Sequence, residues 1–397
     1  MKKHILVISQ YFHPEPFRIN DICCQLVQRG YQVTVLTGIP NYPEGRFYPG
    51  YGWFRRRKER WNGMDIIRIP LTPRGKTSAG LVLNYLSFVV SGFFWKLFTK
   101  IKADAVFTFE VSPMTQALIG VWYAKRRRIP SVLYVQDLWP DNVQTVTGIS
   151  NGFILGAIRK MVSYIYKNTG TLLAASPSFA EDIRAYVPEA PQKVHHWPQY
   201  AEDFYHPIEK TPVPEITEDG RFKVIFTGNI GQAQGLELLP ETAALLRGEN
   251  VCFVIVGNGR QKDQLRQSIA ANHVQDMFCL IDRQPPERIP ALLAACDTAF
   301  VSFLDDPLFE KTIPAKLQSY LACGMPVIAA AKGETRRIVT EADCGVCCPI
   351  GDSEALAQSI LRLKNDSLLS LRGQRARIYF EAHFSRNDLM DQLETYL

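Results

Sequence analysis

Short runs of β-branched and aromatic residues alternate along the chain with longer segments whose apolar residues recur every three or four positions. The short runs predict β-strands, which in the first half of the chain are His4–Ser9, Gln32–Thr37, Ala105–Thr108, Ser131–Val135 and Leu172–Ala175. The longer segments predict helices, among them Ile19–Arg29, Thr115–Arg127 and Pro177–Tyr186. Such alternation is typical of parallel sheets covered by helices on both faces.

The second half repeats this pattern. Its predicted strands are Lys223–Thr227, Val251–Val256, Met277–Leu280, Thr298–Ser302, Pro326–Ala329 and Gly345–Cys348. Its predicted helices are Leu236–Leu246, Gln261–Asn272, Ile289–Ala295, Ile313–Ala322 and Ser353–Lys364. The predicted class is therefore α/β, with two doubly wound, Rossmann-like domains facing a central cleft, and ligands are expected at the carboxyl ends of the strands.

A proline-rich and charged stretch at 206–220 predicts a linker, since 397 residues suffice for two cores. It separates an N-terminal domain, 1–205, from a C-terminal domain, 221–376, and 377–397 predicts a helix expected to pack back on the first domain. The net charge of +6 divides unevenly. Residues 1–200 hold 25 Lys and Arg against 12 Asp and Glu, a net charge of +13, whereas residues 201–397 hold 20 against 27, a net charge of −7.

Three basic clusters of the first half, at 55–60, 96–102 and 125–128, adjoin or contain aromatic residues. This pattern suits an anionic lipid surface, where rings lie at headgroup level and each cation contributes about 1 kcal/mol. Phosphates of a nucleic acid would also suit it, but no nucleic-acid recognition motif accompanies it. Solvated surface is the remaining alternative. We expect contact with an anionic membrane and no nucleic-acid partner.

The longest apolar stretch, Leu81–Trp95, is interrupted by Asn84, Ser87 and Ser91. A membrane-spanning helix needs roughly 20 apolar residues, so this stretch is expected to lie on a membrane surface and not to cross it. The N-terminus predicts a first strand and not a signal peptide. The expected location is therefore cytoplasmic, peripheral on the inner face of the plasma membrane.

The nine cysteines indicate a reduced, cytosolic protein, because adjacent pairs are poor disulfide partners. Cys344, Cys347 and Cys348 suggest a metal site, but no second CxxC pair or nearby histidine completes a tetrahedral set. Small apolar residues around a strand are the favoured interpretation of this group.

Two glycine-rich turns each follow a predicted strand and precede a helix. The first contains Gly228, Asn229, Gly231 and Gln234, and the second contains Gly257 and Arg260. Glycines let backbone N–H groups approach a ligand, and a helix N-terminus favours anions. A tight turn also needs glycine for structural reasons alone, yet two such turns in one domain favour a phosphate-bearing ligand. The dinucleotide fingerprint GxGxxG is absent after the first strand, which argues against a dehydrogenase.

The segment 309–328 carries a third candidate site. Pro314 suits the first turn of a helix and Thr312 its N-terminal cap. Lys316, Ser319 and Tyr320 lie three or four residues apart and therefore share a helix face. A face turned towards the cleft would offer a cation and hydroxyls to a nucleotide, and an ordinary solvated lysine is the alternative.

The whole chain resembles the GT-B glycosyltransferases of the large retaining family that includes mannosyl- and sucrose-type transferases. The resemblance to the bacterial O-antigen and capsule subgroup, and within it to N-acetyl-L-fucosaminyl transferases, rests on QYFHPEPFRIND (10–21), TGIPNYPEG (37–45), DLWPDN (137–142), WPQYAEDFY (197–205), GNIGQAQGLE (228–237) and TIPAKLQSYLACGMPVIA (312–329). These motifs span nearly the full length.

The chain departs from the family pattern at several positions. Asn229 and Gln234 stand where the family offers an Arg and a Lys to the diphosphate, and Ser319 aligns with the glutamate that holds the ribose. Phe109, followed by Glu110, aligns with the usual catalytic-site histidine. Lys316 and Arg260 are therefore the preferred cations for the diphosphate.

The resemblance and the residues together give three sets of expected site residues. Donor binding is assigned to Gly228, Asn229, Gly231, Gln234, Gly257, Arg260, Arg283, Lys311, Thr312, Lys316, Gln318 and Ser319. Catalysis is assigned to Glu110, Asp137, Glu310 and Lys316. Acceptor binding is assigned to Glu15, Arg18, Asn20 and Asp21.

The expected reaction moves a sugar, an N-acetylated amino sugar, from a UDP-sugar to a lipid-linked, polyprenyl-diphosphate saccharide. No Asp-x-Asp pair occurs in the chain, so no metal cofactor is expected, and fixed cations and backbone dipoles are left to stabilise the departing diphosphate. The resemblance implies retention by a same-face mechanism without a protein nucleophile. The alternatives are a nucleotide-sugar 2-epimerase of the same fold and a non-catalytic membrane-associated scaffold.

Overall fold

The computed structural model describes residues 3–75, 77–147 and 150–397. The chain forms two compact units. Unit 1 runs to Trp197 and includes Met390–Leu397 near the C-terminus, and unit 2 comprises Pro198–Leu389.

The described part of unit 1 contains an eight-stranded sheet. Its strands are β1 (His4–Ile8), β2 (Gln32–Thr37), β3 (Lys58–Trp61), β4 (Met64–Arg68), β5 (Ala105–Glu110), β6 (Ser131–Val135), β7 (Thr171–Ala174) and β8 (Val194–His196). Their order is β3-β4-β2-β1-β5-β6-β7-β8, and all pairs are parallel except β3 with β4. The strand order reverses at β1, so the crevice beside its carboxyl end is the expected ligand position.

The helices of unit 1 cover both faces of this sheet. They are α1 (Arg18–Gln28), α2 (Ser78–Phe98), α3 (Ala117–Arg127), α4 (Asp141–Thr147), α5 (Gly152–Lys167) and α6 (Pro177–Tyr186). The central strands β1 and β5 are almost wholly buried, because helices lie over both of their faces.

Unit 2 contains a six-stranded, wholly parallel sheet. Its strands are β9 (Phe222–Thr227), β10 (Val251–Val256), β11 (Phe278–Ile281), β12 (Thr298–Ser302), β13 (Val327–Ala330) and β14 (Gly345–Cys348). The order β11-β10-β9-β12-β13-β14 is that of a dinucleotide-type Rossmann sheet, with its switch point between β9 and β12.

The helices of unit 2 again lie on both faces of the sheet. They are α7 (Leu238–Leu245), α8 (Lys262–Ala271), α9 (Ile289–Ala294), α10 (Pro307–Glu310), α11 (Ala315–Ala322), α12 (Gly333–Glu341), α13 (Ser353–Lys364), α14 (Leu369–Phe384) and the first part of α15 (Arg386–Tyr396). Buried aliphatic side chains form a core on each face. The predicted α/β class with two doubly wound sheets is confirmed.

Several features differ from the sequence prediction. The predicted linker 206–220 belongs to unit 2, and its Val213 and Ile216 are buried in the core of that unit. The predicted terminal helix at 377–397 is two helices, α14 and α15, and Met390–Leu397 belongs to unit 1. The hairpin β3–β4 also lies outside the predicted strands, because its alternation of charged and apolar residues is that of a half-exposed edge.

Candidate functional site

The two glycine turns of unit 2 pack directly against each other. The Ile230 N–H donates to the Asn258 carbonyl at 2.9 Å. Any side chain at Gly257, whose φ is +152°, would overlap the carbonyl oxygen of Gly228. Gly257 is buried and is required for contact between the turns, whereas Gly228 and Asn229 are exposed at the carboxyl edge of the sheet, where a ligand can approach them.

The Lys316 ammonium lies over the first of these turns. Its Nζ is 4.0 Å from the centre of the Phe226 ring and donates a hydrogen bond to the side-chain oxygen of Gln234. A Cβ atom at Gly228 would be only 3.8 Å from that Nζ. Desolvation lowers the pKa of Lys316 to about 7. None of the described ion pairs of unit 2 includes Lys316, so this amine has no counter-ion within the part of the chain that the structure describes.

Tyr320 fixes the position of Lys316. The fully buried Tyr320 hydroxyl accepts a hydrogen bond from the Thr227 N–H at 2.8 Å and so ties α11 to the carboxyl end of β9. Lys316 lies one helical turn earlier on the same face. Their spacing, from which the sequence predicts a shared helix face, therefore directs both side chains to the end of β9.

The predicted helix cap at Thr312 is wrong. Helix α11 begins at Ala315, and the flanking residue is Pro314, with φ −73° and ψ 135°. The Thr312 hydroxyl donates instead to the Leu308 carbonyl at 2.9 Å. Thr312 therefore closes the preceding short helix α10, and Lys311 beside it is partly exposed.

Gln318 and Ser319 are buried and have hydrogen-bond partners within unit 2. The Gln318 amide donates to the Gln199 carbonyl at 2.7 Å, and the Ser319 hydroxyl donates to the Ala315 carbonyl at 3.2 Å. These contacts account for the Ser319 hydroxyl and the Gln318 amide nitrogen, whereas the buried Oε1 of Gln318 has no hydrogen-bond partner among the described residues. Their contact with a nucleotide stays a prediction.

Glu310 lies next to a lysine that the sequence analysis did not single out. The Lys332 ammonium is 2.7 Å from an Asp305 carboxylate oxygen and 3.9 Å from Oε1 of Glu310. Gly333 has a φ of +54°, and any side chain there would overlap the Glu310 carbonyl. The loop after β13 is thus pressed against α10, and the Glu310 carboxylate is half-exposed at the carboxyl edge.

Two exposed arginines follow neighbouring strands of this sheet, Arg260 after β10 and Arg283 after β11. Between them the Lys262 ammonium donates to the Asn258 side chain at 2.7 Å and to Asp282. Lys262 is buried and therefore holds the second glycine turn in shape, while Arg260 and Arg283 are exposed. The position of Lys262 four residues after Asn258 was the sequence feature that could have revealed this contact.

In unit 1, Glu110 and Asp137 end the adjacent strands β5 and β6. The Glu110 carboxylate is fully buried and accepts the N–H groups of Gln136 and Asp137, each at 3.3 Å. Burial and the neighbouring Asp137 raise the pKa of Glu110 well above its ordinary value. Burial also raises the pKa of Asp137, whose carboxylate accepts the Ser112 N–H at 2.6 Å. Burial thus favours the protonated form of both carboxyl groups.

Glu15 is buried at the same edge. One of its carboxylate oxygens accepts the Asn41 and Tyr42 N–H groups at 2.8 and 2.7 Å. Burial raises the pKa of Glu15 to about 7 against the opposing effect of these bonds. The Asn20 amide donates to the Glu15 carbonyl at 2.8 Å, and Asn20 Oδ1 accepts the His13 N–H at 3.0 Å. Glu15 and Asn20 therefore shape the loop before α1.

The other two predicted acceptor residues, Arg18 and Asp21, lie in the first turn of α1, and both are partly exposed. They follow the loop that Glu15 and Asn20 shape. The structure thus brings the four predicted acceptor residues to one segment at the carboxyl end of β1.

An aromatic and cationic group at this edge was not found from the sequence. Tyr11, Phe17 and Tyr42 contact one another, with ring centres 5.2 to 5.6 Å apart. The Arg74 guanidinium lies over the Tyr42 ring at 5.3 Å. Tyr85, on α2, is close enough to Tyr11 and Arg74 for each to affect its pKa. Because these residues are far apart in the sequence, no local sequence pattern predicts that they lie together.

Helix α2 is inverted relative to an ordinary surface helix, because its polar residues face the protein. Asn84 is fully buried, accepts a hydrogen bond from the Gln10 amide at 2.7 Å and donates to the Thr72 carbonyl at 2.6 Å. Farther along the same face, Phe88 is fully buried and any side chain at Gly92 would overlap Ile119.

The opposite face of α2 is apolar and exposed. Its exposed residues are Val82, Leu83, Leu86, Val90, Phe93, Phe94, Leu97 and Phe98. Among the described residues α2 alone has the length and composition to cross a bilayer, and only a small part of it is buried in the protein. Nothing in the described part of unit 1 covers this face, so it is available to an apolar partner.

The basic clusters next to α2 have two roles. Arg126 and Arg127 donate to the Lys96 and Thr99 carbonyls at 2.9 Å each and thereby complete the C-terminal end of α2. The Lys96 ammonium lies 4.5 Å from the centre of the Phe93 ring. Cations therefore border the exposed apolar face at its C-terminal end.

The nine cysteines are all free. In the ranges that the structure describes, no three His, Cys, Asp or Glu side chains are grouped closely enough to hold a metal ion, and this includes the group around Cys344. The favoured interpretation of that group as part of a strand agrees with its place in β14.

Two family profiles match the chain, one for each unit. The "Glycosyl transferase 4-like domain" profile matches residues 17–197, and the "Glycosyl transferases group 1" profile matches residues 208–379. Together they account for most of the chain.

Two curated relatives are similar in sequence. The putative colanic acid biosynthesis glycosyl transferase WcaI of Escherichia coli K12 is 26% identical over 98% of both chains. The probable glycosyltransferase WbjE of Pseudomonas aeruginosa is 28% identical over 61% of this chain and 62% of its own length.

Solved structures are similar in fold. Sucrose-phosphate synthase of Thermosynechococcus elongatus superposes with a TM-score of 0.75 at 17% identity, covering 99% of this chain and 98% of the other. Anabaena HepE in complex with UDP and glucose gives a TM-score of 0.70 at 16% identity over 99% of both chains. WaaG, a glycosyltransferase involved in lipopolysaccharide biosynthesis, gives 0.68 at 15% identity over 98% of both.

Proposed function

Because this chain belongs to the group 1 glycosyltransferases, we propose that it moves a sugar from a UDP-sugar to a polyprenyl-diphosphate saccharide. The product would be a bacterial surface polysaccharide, since relatives are named for colanic acid and amylovoran biosynthesis. Following the resemblance of its motifs, we propose an N-acetylated amino sugar, of the N-acetyl-L-fucosaminyl type, as the donor group. The non-catalytic scaffold is set aside, because the relatives are named as enzymes.

The part of the proposal that concerns the UDP-sugar donor rests on the position of the Lys316 ammonium over the first glycine turn. It is bonded only to an uncharged amide, Gln234, among the described residues, so a diphosphate would supply its missing counter-ion. Arg260 and Arg283 extend from the next two strand ends and add positive charge at the same edge. Fixed cations of this kind stabilise the charge that develops on a departing diphosphate.

No metal is needed in this scheme. Lys316, the exposed arginines and the backbone N–H groups of the first glycine turn would together replace the charge of a bound cation. We therefore propose a metal-independent transferase, for which EDTA leaves the rate unchanged.

We propose that the reaction retains the configuration at the anomeric carbon. The bond from the acceptor oxygen to that carbon forms as the bond to the leaving phosphate oxygen breaks on the same face. The acceptor proton passes to the phosphate oxygen or to the Glu110–Asp137 pair, whose raised pKa values make each carboxylate a stronger base than an ordinary one. Nucleotide hydrolysis or epimerisation without an acceptor would contradict this scheme.

The exposed apolar face of α2 supports a lipid-linked acceptor. A lipid surface covers such a face, and the cations at its C-terminal end suit anionic headgroups. We propose that unit 1 attaches peripherally to the inner face of the plasma membrane through α2.

The same helix is unsuited to crossing the bilayer. Withdrawal of α2 from unit 1 would break the hydrogen bonds of Asn84 to Gln10 and Thr72 and leave buried amides without partners. Inside lipid, unsatisfied polar groups cost several kcal/mol each. The helix is therefore proposed to lie in the membrane surface with its inner face still bound to the protein.

A thermal-shift comparison of UDP, GDP, ADP and dTDP, each with magnesium and with EDTA, tests the donor half. A ligand that binds only the native state raises the unfolding midpoint according to its concentration and affinity. The proposal expects UDP to give the largest shift, equal in both conditions. A shift that requires magnesium would refute the metal-free site, and equal or absent shifts for all four nucleotides would refute the UDP site.

A further inference from the structure

We propose that Tyr11, Tyr42, Arg74 and Tyr85, which we call the Arg74 cluster, form a subsite for a phosphate group of the acceptor. The proposal rests on the proposed function, which supplies an acceptor that carries a diphosphate. It adds a specific position for that group, at four residues to which neither the sequence analysis nor the comparisons assign a ligand.

The cluster is assembled at the carboxyl edge of the unit 1 sheet. Tyr11 follows β1, Tyr42 follows β2 and Arg74 follows β4. These strands are parallel neighbours, so their following loops meet at one edge. Tyr85 comes from the first half of α2, the helix whose other face is exposed and apolar. The cluster thus lies between the ends of the central strands and the proposed lipid-facing helix.

The backbone beside Arg74 is held in place. The Arg74 N–H donates to the Asn41 side-chain oxygen at 3.0 Å, and Asn41 Nδ2 donates to the Ile39 carbonyl at 2.8 Å. The Asn41 N–H in turn donates to the buried Glu15 carboxylate. A guanidinium on an anchored loop and against a ring loses little conformational freedom on binding.

Arg74 has no ion-pair partner among the described residues of unit 1. Its guanidinium lies over the Tyr42 ring at 5.3 Å and beside the Tyr11 hydroxyl. Arg68, by contrast, is paired with Glu59 at 2.6 Å. The described structure therefore leaves the charge of Arg74 to be neutralised by a ligand.

The phenols around Arg74 are hydrogen-bond donors. Burial and the adjacent Tyr85 raise the pKa of Tyr11 far above its ordinary value, although Arg74 opposes the shift. Burial is also the main cause that raises the pKa of Tyr85, again opposed by Arg74. Both hydroxyls therefore stay protonated at neutral pH, and a cation beside two O–H groups is a suitable arrangement for phosphate oxygens.

Three carboxyl groups lie near the cluster. Each repels a bound anion only in its deprotonated, negatively charged form. Glu15 is near Tyr11, while Glu110 and Asp137 are near Tyr85. Burial raises the pKa of each of the three. Burial thus shifts each of the three towards its neutral form, which lessens repulsion of a phosphate.

Farnesyl diphosphate and farnesol, titrated into the full chain below their aggregation limits, test the assignment. Saturating UDP is present throughout, so that the donor site of unit 2 is occupied. The wild-type chain is expected to bind the diphosphate at least tenfold more tightly than the alcohol. Arg74→Gln should weaken diphosphate binding by about tenfold, the change expected for one lost charge-assisted contact, and should leave farnesol and UDP binding unchanged.

Arg56→Gln is the matched control, because the Arg56 guanidinium also lies 5.3 Å from a tyrosine ring, that of Tyr51, but is outside the cluster. It should leave diphosphate binding unchanged. Tyr85→Phe, which removes only a hydroxyl, should weaken diphosphate binding several-fold and serves as the second variant if Arg74→Gln lowers the unfolding midpoint. Equal diphosphate affinity in wild type, Arg74→Gln and Tyr85→Phe would overturn the subsite while UDP binding, and with it the proposed donor site, could still stand.

A lipid headgroup carries the same chemistry as the acceptor, so vesicles of phosphatidylglycerol and phosphatidylcholine form a second arm. Arg74→Gln is expected to bind these vesicles as the wild type does. If Arg74→Gln loses vesicle binding but keeps its affinity for farnesyl diphosphate, the cluster binds headgroups and the acceptor assignment is wrong.

Discussion

Gly257 lies so close to the carbonyl oxygen of Gly228 that no side chain fits between the two glycine turns of unit 2. The glycine at 257 thus serves the contact of one backbone with another, while the glycine at 228 remains exposed beneath Lys316. The two turns have similar sequences and follow successive strands, but their glycines are required for different physical reasons.

Gly257→Ala should therefore destabilise the fold severely. The methyl group meets backbone atoms, and φ of +152° is unfavourable for alanine, so the free energy of unfolding should fall by about 3 kcal/mol or more. Gly248→Ala is the control, since Gly248 also has a positive φ, +82°, but open space around it, and should cost only about 1–2 kcal/mol. Urea unfolding of both variants checks the difference, and equal losses would contradict the packing argument.

Lys316→Met should abolish most of the transfer activity with the fold intact. The substitution keeps the apolar stem over Phe226 but removes the charge that faces the diphosphate, so turnover should fall about 10²- to 10³-fold, as for the loss of one transition-state donor. The initial rate of UDP release with acceptor present measures this. Lys332→Met, which removes an ammonium already paired with Asp305, should reduce the rate far less. An equal loss of rate in the two variants would show that the total positive charge at the carboxyl edge of the sheet matters, and not the position of Lys316.

Above neutral pH, Lys316 should take up a proton when UDP binds. The pKa of Lys316 is lowered to about 7 in the free protein, and a bound diphosphate raises it, so uptake is small at pH 6 and approaches one proton at pH 8. Calorimetric titration in buffers of different ionisation enthalpy measures the number of protons. Lys316→Met should show no such uptake, and uptake that persists in it would assign the proton to another group.

Glu110→Gln should change how the stability of the protein depends on pH. Burial and Asp137 raise the pKa of Glu110 above its ordinary value of 4.5, so the folded protein holds a proton that the unfolded chain releases above that pH. Wild-type stability should therefore fall as the pH rises from about 4.5 towards the raised pKa, and the variant should lack this component. Thermal unfolding at pH 5 and pH 7 checks this.

If the deprotonated form of Glu110 takes the acceptor proton, the same variant should lose at least about 10²-fold in turnover. An unchanged rate together with the altered pH dependence of stability would leave Glu110 as a structural acid and transfer the proton to the phosphate oxygen.

Leu86→Glu should weaken binding to anionic vesicles without loss of stability. Leu86 is 53% exposed on the outer face of α2, and Leu245, 53% exposed in unit 2, is its matched control. A charge in a lipid-facing position disfavours insertion, so vesicle sedimentation should fall several-fold for Leu86→Glu and stay unchanged for Leu245→Glu. Equal sedimentation of the two variants would remove α2 from the membrane contact.

The regular strands of both sheets were predictable because their residues are buried on both faces. Gln32–Thr37, Ser131–Val135 and Val251–Val256 are strands over the predicted ranges. The edge hairpin β3–β4 was not predictable in this way, because one of its faces is exposed and charged.

The site was predictable only where its residues are adjacent in sequence. Lys316 and Tyr320 lie on one helix face, and the periodicity predicts their common direction. Arg74, Tyr11 and Tyr85 come together only through the parallel register of three strands and the placement of α2. The same limit explains why the Asn84 contacts escaped sequence analysis: its partners, Gln10 and Thr72, follow different strands.

The two faces of α2 impose opposite constraints on its evolution. Outward positions such as Leu86 and Val90 need only remain apolar, so they are free to exchange among aliphatic and aromatic residues as membranes of different composition require. Asn84 and Gly92 face the sheet and admit almost no exchange, since one completes a set of hydrogen bonds and the other leaves room for Ile119. In a set of related sequences, α2 should therefore show drift on the apolar stripe and invariance on the polar one, the reverse of the pattern of an ordinary surface helix.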